Sequence, residues 1–164
     1  MSPEFLSASI RREAREAESL LNATLPPDWP DAPGVLAMRL GQMEKNPTLE
    51  QWLLRAIVLR STRQMIGHIG FHTAPGAEYL EPYSPGAVEF GFTVFTPWRR
   101  QGYAREASLA VMKWARETHD VRAFVLSIRP NNQASQALAK DLGFVKVGSH
   151  LDEVDGEEDV LELR

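Results

Sequence analysis

Residues 88–107 read VEFGFTVFTPWRRQGYAREA, and this stretch decides the fold. Val88, Phe90, Phe92 and Val94 point to one side of an extended chain, and Glu89, Gly91, Thr93 and Phe95 to the other. That period of two predicts a strand over Val88–Phe95. A helical pattern opens after Arg99-Arg100-Gln101-Gly102-Tyr103-Ala104 and predicts a helix from about Ala104 to Thr118. Its apolar positions, Ala107, Ala110, Val111, Trp114 and Ala115, fall at helical spacing. A helix N-terminus leaves about four backbone N–H groups without helical partners and carries the positive end of the helix dipole. Gly102 has no side chain and Ala104 a small one, so these N–H groups can converge on an anion such as a diphosphate. Arg99 and Arg100 add cationic donors, Gln101 adds a neutral one, and Tyr103 can pack its ring while leaving its N–H available. The Walker and dinucleotide glycine patterns are both absent. Alone, the stretch reads equally well as a strand-to-helix turn with surface arginines.

Outward from it, Ala123–Ile128 (AFVLSI) is an almost wholly apolar run, which suits a strand buried on both faces. Strand, helix and strand in that order imply a parallel crossover. RPNNQASQALAKDLGF predicts a helix over about Gln133–Leu142, capped by Asn132 and ended by Gly143. VKVGSH and EDVLEL then read as two strands, joined by an acidic connection with Asp155-Gly156 at the turn. Upstream, Ile10–Leu21 reads as one amphipathic helix with Ser9 as its cap. A second helix is predicted over about Val35–Lys45. Arg55–Arg60 and MIGHIGFH, residues 65–72, form a hairpin around a turn at residues 61–64. The Pro- and Gly-rich segment Thr73–Ala87 is long for a connection, and long loops are either functional or tolerated insertions. The expectation is one α/β domain over residues 1–164.

With 164 residues, 43% of them hydrophobic and 24% charged, the chain can bury a sizeable core. A net charge of -4 gives no general attraction to nucleic acid or anionic membrane, so neither is expected as a partner. The absence of cysteine excludes disulfides, Cys metal sites and a Cys nucleophile, and fits a reducing compartment. Cytoplasm is the expected location, because no apolar run approaches the roughly 20 residues that span a bilayer.

The ordered set, a strand VEFGFTVF, then RRQGYAREA, then FVLSI, then NNQASQALAKDLGF, resembles the GNAT N-acetyltransferase superfamily. Its Gln/Arg-x-x-Gly-x-Gly/Ala hallmark is met by Arg99, Gly102 and Ala104. Gly102-Tyr103-Ala104-Arg105-Glu106-Ala107, with Asn132-Gln133-Ala134-Ser135 and Leu142-Gly143-Phe144, resembles the branch that includes ribosomal-protein N-terminal acetyltransferases. The resemblance implies a mixed, mostly antiparallel sheet with a central parallel pair and flanking helices. It implies acetyl-CoA as co-substrate, no metal, and a primary amine as acceptor, either a small molecule or a protein N-terminus. It leaves room for a homodimer. Two features depart from it. The usual first strand has no counterpart in EFLSAS before the first helix. The tyrosine that many relatives place four residues before the Gly-Phe glycine is Ala139 here.

For single residues the resemblance implies the following roles. Backbone groups of Phe92, Thr93 and Val94 would bond the pantetheine arm, with the Val94 N–H a candidate oxyanion donor. Arg99, Arg100, Gln101, Gly102, Tyr103, Ala104 and Arg105 would hold the diphosphate. Asn132 and Ser135 would border the pantetheine, and Ser135 is the candidate proton donor to the departing sulfur in place of the absent tyrosine. An ammonium acceptor, of pKa about 10, must lose a proton before it attacks. Glu89 is the candidate base, directly or through a water; its ordinary alternative is a structural ion pair. Asn132 and Ser135 read equally as a helix cap and its first turn. His68 and His72 lie about 13 Å apart along one strand face, too far for one metal. They are read as packed or acceptor-site residues, with His72 the better placed. The acidic run Asp152, Glu153, Asp155, Glu157, Glu158 and Asp159 reads as a solvated turn rather than a calcium loop, because Leu151 would fall at the first ligand position. A non-catalytic acyl-CoA-binding module and a nucleotide-binding protein are the competing classes.

Overall fold

A computed structural model describes residues 1–152 and 156–164. The chain packs as two compact units, Met1–Gly70 with Phe92–Gln101, and Phe71–Gly91 with Gly102–Arg164.

The first unit opens with α1 (Pro3–Ile10) and α2 (Ala14–Leu21), where one helix over Ile10–Leu21 was expected. The corner between them is a left-handed Arg12, φ 59°. Arg11 N–H donates back to Ser7 O, Arg12 N–H to Ser9 O and Glu13 N–H to Ala8 O, which closes α1. The Arg11 guanidinium clamps the corner through Ser7 Oγ and the Glu13 carboxylate. The apolar spacing runs on across the corner because Ala17, Ile10 and Leu21 all pack on one core with Phe5, Leu6 and Leu36. Ser9 is therefore no N-cap. It is buried within α1 and accepts a 2.9 Å hydrogen bond from Trp29 Nε1. Ser2 caps α1 instead, with Pro3 at the first helical position and Glu4 in the first turn. EFLSAS is thus helical, and the first strand expected of the resemblance is absent from that segment.

Next come α3 (Pro33–Lys45), β1 (Arg55–Val58) and β2 (Met65–Phe71). The two strands pair antiparallel, Arg55 opposite Ile69 and Ala56 opposite His68. His68 packs against Trp29 and Phe95 and reaches Asp31 at 3.4 Å, so of its two readings the packed one holds. On the other side of β2, Phe95 N–H donates to Ile66 O at 2.9 Å. Gly41 lies inside α3 with nothing within 4 Å of an added Cβ. Gly41→Ala is therefore expected to stabilise by about 0.5–1 kcal/mol and to raise Tm by about 1–4 °C in a thermal melt.

The second unit holds the first half of β3 (Val88–Val94), then α4 (Tyr103–His119), β4 (Phe124–Ile128), α5 (Gln133–Asp141), β5 (Val145–Asp152) and β6 (Gly156–Leu163). β3 runs parallel to β4, with Val88 opposite Phe124 and Glu89 opposite Val125. β4 pairs antiparallel with β6, and β6 with β5. The hydrogen-bonded strand order is β1-β2-β3-β4-β6-β5, a mixed, mostly antiparallel sheet with one parallel pair. Phe71, Phe90, Phe124 and Met112 are fully buried. Phe71 meets the rings of Phe90, Trp114 and Phe124 at centroid distances of 6.0, 6.1 and 6.5 Å. Asn132 caps α5, and Gly143, φ 91°, follows its end. Glu153 and Asp155 of the expected acidic turn lie outside the described residues; Gly156 has φ 79°. Among the described residues no helix is long and apolar enough to cross a membrane.

Candidate active site

The second unit contains a cavity of about 650 Å³, lined among others by His72, Tyr79, Tyr83, Glu89, Ser127 and Glu158. The alternation of β3 sends Val88 and Phe90 into the core, so Glu89 emerges on the opposite face. It is only 5% exposed, and a buried carboxylate must be hydrogen-bonded to stay charged. Three donors meet it. His72 follows directly on the end of β2, and its Nδ1 lies 3.2 Å from Glu89 Oε2. Ser127 on β4 and Tyr79 in the Thr73–Ala87 segment also bond the carboxyl. The His72 N–H donates to the Glu89 carbonyl at 2.8 Å, which fixes the two backbones side by side.

Burial pushes the Glu89 carboxyl up. The hydrogen bond and charge of His72, then the Ser127 and Tyr79 bonds, outweigh it and bring the pKa down to about 2. Glu89 is thus a carboxylate at neutral pH. The space beside it over Gly91, on the same strand face, is filled by the His72 ring. An added Cβ at Gly91 would lie 3.1 Å from His72 Nε2.

Tyr79, Leu80, Pro82 and Tyr83 from the long segment line the same cavity. Tyr83 OH donates to Ser149 O at 3.1 Å, and its ring occupies the space over Gly148, where a Cβ would come within 2.7 Å of it. At the hairpin of β5 and β6, His150 and Glu158 are cross-strand partners and pair at 3.7 Å. Asp152 lies beside them, with the three polar atoms within 4.8 Å of one another. Two members of the acidic run, Asp152 and Glu158, thus turn into the cavity rather than only into solvent.

The sequence reading missed Tyr79, Tyr83, Ser127 and His150. Ser127 carried a usable signal: it is the one polar residue in the apolar run FVLSI.

Of the other candidates, Gly102 (φ 87°) caps α4, and an added Cβ there meets nothing within 4 Å, so the first turn is open to an approaching group. Arg100 is also left-handed, φ 61°. Arg99 Nε donates to Val94 O at 2.8 Å, which ties the loop to the end of β3. Gln101 Nε2 donates to Pro97 O at 3.2 Å, and Arg105 Nε pairs with Asp141 at 2.8 Å. Tyr103 and Ala104 are half-buried at the start of α4. Phe92 and Thr93 are half-buried and Val94 is buried. Asn132 Oδ1 accepts from Ser135 N–H at 3.2 Å, the geometry of a helix cap. Neither residue lines the cavity that holds Glu89. Ala139 is fully buried in α5.

Residues 9–145 match the model of the acetyltransferase (GNAT) domain. The Bacillus subtilis (strain 168) protein described as uncharacterized N-acetyltransferase YjdG is 27% identical over 96 residues, 58% of this chain and 51% of that one. That match thus spans about half the length of the curated relative. A ribosomal-protein-S5-alanine acetyltransferase from Vibrio fischeri superposes with a TM-score of 0.64 at 15% identity, covering 98% of this chain and 86% of that one. The microcin C7 self-immunity acetyltransferase MccE, solved in complex with acetyl-CoA and AMP, gives 0.61 at 16% identity over 98% and 86%. At such identities the two structural likenesses speak for the fold. The family model covers most of the chain and is met by the motifs of the loop and of α5, so this chain belongs to the acetyltransferase (GNAT) family.

Proposed function

We propose that the protein is an acetyl-CoA-dependent N-acetyltransferase in which a primary amine attacks the thioester directly. The observation that carries this reading is Glu89, a buried, ionised carboxylate at the wall of a cavity of about 650 Å³, in a chain of this family. An ammonium acceptor entering there meets a negative charge, and Glu89 supplies the carboxylate for taking up its proton, directly or through a group that it holds. The backbone of Phe92, Thr93 and Val94 is assigned to the pantetheine arm, with the Val94 N–H as oxyanion donor. Arg99, Arg100, Gln101, Gly102, Tyr103, Ala104 and Arg105 are assigned to the diphosphate, mostly through main-chain N–H groups at the start of α4. Asn132 and Ser135 are assigned to the cofactor's sulfur end, with Ser135 as proton donor to the thiolate. A thiol of pKa about 8.5 leaves with little help. Four residues of the Thr73–Ala87 segment line the cavity, which supports a small amine over a broad protein surface as acceptor.

A thermal melt tests the cofactor. Acetyl-CoA at about 100 times its Kd should add about 2.7 kcal/mol and raise Tm by about 5–10 °C, whereas ATP should not. Stabilisation by ATP alone would point to a nucleotide-binding protein. Stabilisation by acetyl-CoA without thiol release over a broad amine panel would point to a binding module.

A further inference from the structure

We propose that His72, oriented by Glu89, is the group that takes the proton from the acceptor ammonium, at its Nε2. The inference rests on the acetyltransferase reading and assigns the residue within it. Access distinguishes the two side chains. His72 is 39% exposed while the Glu89 side chain is 6% exposed, so a cation in the cavity reaches the imidazole first. The carboxylate is engaged by His72, Ser127 and Tyr79. An ionised carboxylate only accepts, so Nδ1 at 3.2 Å is the donor of that contact. The neutral ring then carries its lone pair on Nε2. That atom lies over Gly91, where the missing β-carbon leaves it room. The same carboxylate would be a poor base by itself, since the His72 contact and the Ser127 and Tyr79 bonds outweigh its burial and make a proton hard to gain.

The proton balance is simple. One ammonium proton passes to Nε2, and Glu89 stabilises the resulting imidazolium through Nδ1–H. The freed lone pair forms the C–N bond, the C–S bond breaks, and its electron pair leaves on sulfur. The second amine proton goes to the thiolate, and the imidazolium returns its proton to water. Among the described residues, the charged or titratable groups that line the cavity with His72 are Glu89 on β3, Tyr79 and Tyr83 in the long segment, and His150, Asp152 and Glu158 on the β5–β6 hairpin. None of them is Lys or Arg.

Two measurements test the assignment. Long-range 1H–15N NMR of the free protein should find His72 in the Nδ1–H tautomer; an Nε2–H tautomer overturns the proposal whatever the kinetics show. Acetylation of an alanyl tetrapeptide amide and of butylamine, followed by thiol release, supplies the second. Wild-type kcat/KM should rise with pH through one inflection as the base loses its proton. His72→Asn keeps a donor toward Glu89 but has no Nε2. It should lose at least about 100-fold in kcat and the inflection, with the acetyl-CoA thermal shift unchanged. His72→Gln should lose both as well. Glu89→Gln should lower kcat but keep the inflection, because Nε2 remains, whereas the His72 variants lose both. If either His72 variant works within threefold of wild type, Glu89 acts without it. If acetyl-CoA does not stabilise the protein and neither amine is acetylated, the acetyltransferase reading itself fails, which is a separate result.

Discussion

Glu89→Gln lowers kcat/KM by at least about 100-fold while leaving acetyl-CoA binding unchanged. The amide has nearly the shape of the carboxylate, and its oxygen can still accept from His72 Nδ1, 3.2 Å away in the parent. What disappears is the negative charge that stabilises a proton taken up in the cavity. The same substitution reports on folding. The Glu89 carboxyl falls from 4.5 to about 2 against its burial. A lowered native pKa gives stability that is fully present above about pH 4.5 and is lost as pH falls through about 2. The difference corresponds to about 3 kcal/mol. Urea melts at pH 7 and pH 3 check it: wild type loses stability between them, and Glu89→Gln loses less. A variant with near-normal turnover would remove Glu89 from the chemistry, and an unchanged acid dependence would remove it from the stability of the unit.

Much of the second unit was legible because its signals are local. The alternation in VEFGFTV, the helical spacing after Gly102 and the Asn132 and Gly143 caps each depend on a few neighbouring residues, and each element appears where those residues put it. The N-terminal corner was not legible, for a physical reason. Ile10, Ala17 and Leu21 keep helical spacing through a left-handed Arg12, because α1 and α2 bury onto the same core; Ala14, on the expected face, is exposed. Spacing alone cannot distinguish one helix from two that share a floor. Ser2-Pro3-Glu4, the cap and first turn of α1, was a readable helix start that the sequence reading passed over.

The cavity was only half legible. Glu89 could be picked from its strand face, but its partners come from residues 72, 79 and 127, and the far wall from 150, 152 and 158. The strand residues among them meet through register, such as His150 opposite Glu158, and Tyr79 through the path of the long segment, none of which a local pattern records. Ser135 shows the converse. The motif that singled it out is local, and its local role as the residue capped by Asn132 is the one the geometry displays.

The second large effect is expected at Gly67, in the first unit. A β-carbon there would meet Thr93 O at 2.2 Å, Val94 Cα at 3.0 Å and Thr93 C at 3.1 Å, all of them backbone. Carbon and oxygen atoms pack at roughly 3.5 Å, so no rotamer change relieves the clash and β2 and the end of β3 must part by more than an ångström. Gly67→Ala should cost about 3 kcal/mol or more, beyond ordinary overpacking, and lower Tm by about 6–12 °C. Gly41→Ala, with open space around its added carbon, is the matched control and should move Tm the other way. The site of damage also matters. Thr93 and Val94 are the backbone assigned to the pantetheine arm, and Val94 O anchors Arg99 at the start of the diphosphate loop. Gly67→Ala should therefore reduce the acetyl-CoA thermal shift, measured at a temperature where the variant is still folded. Glu89→Gln, whose lesion is at the cavity assigned to the acceptor, should leave that shift intact. A Gly67→Ala protein with a full acetyl-CoA shift would place the cofactor away from this strand, and one with unchanged Tm would mean that β2 and β3 are spaced more widely than the structure has them.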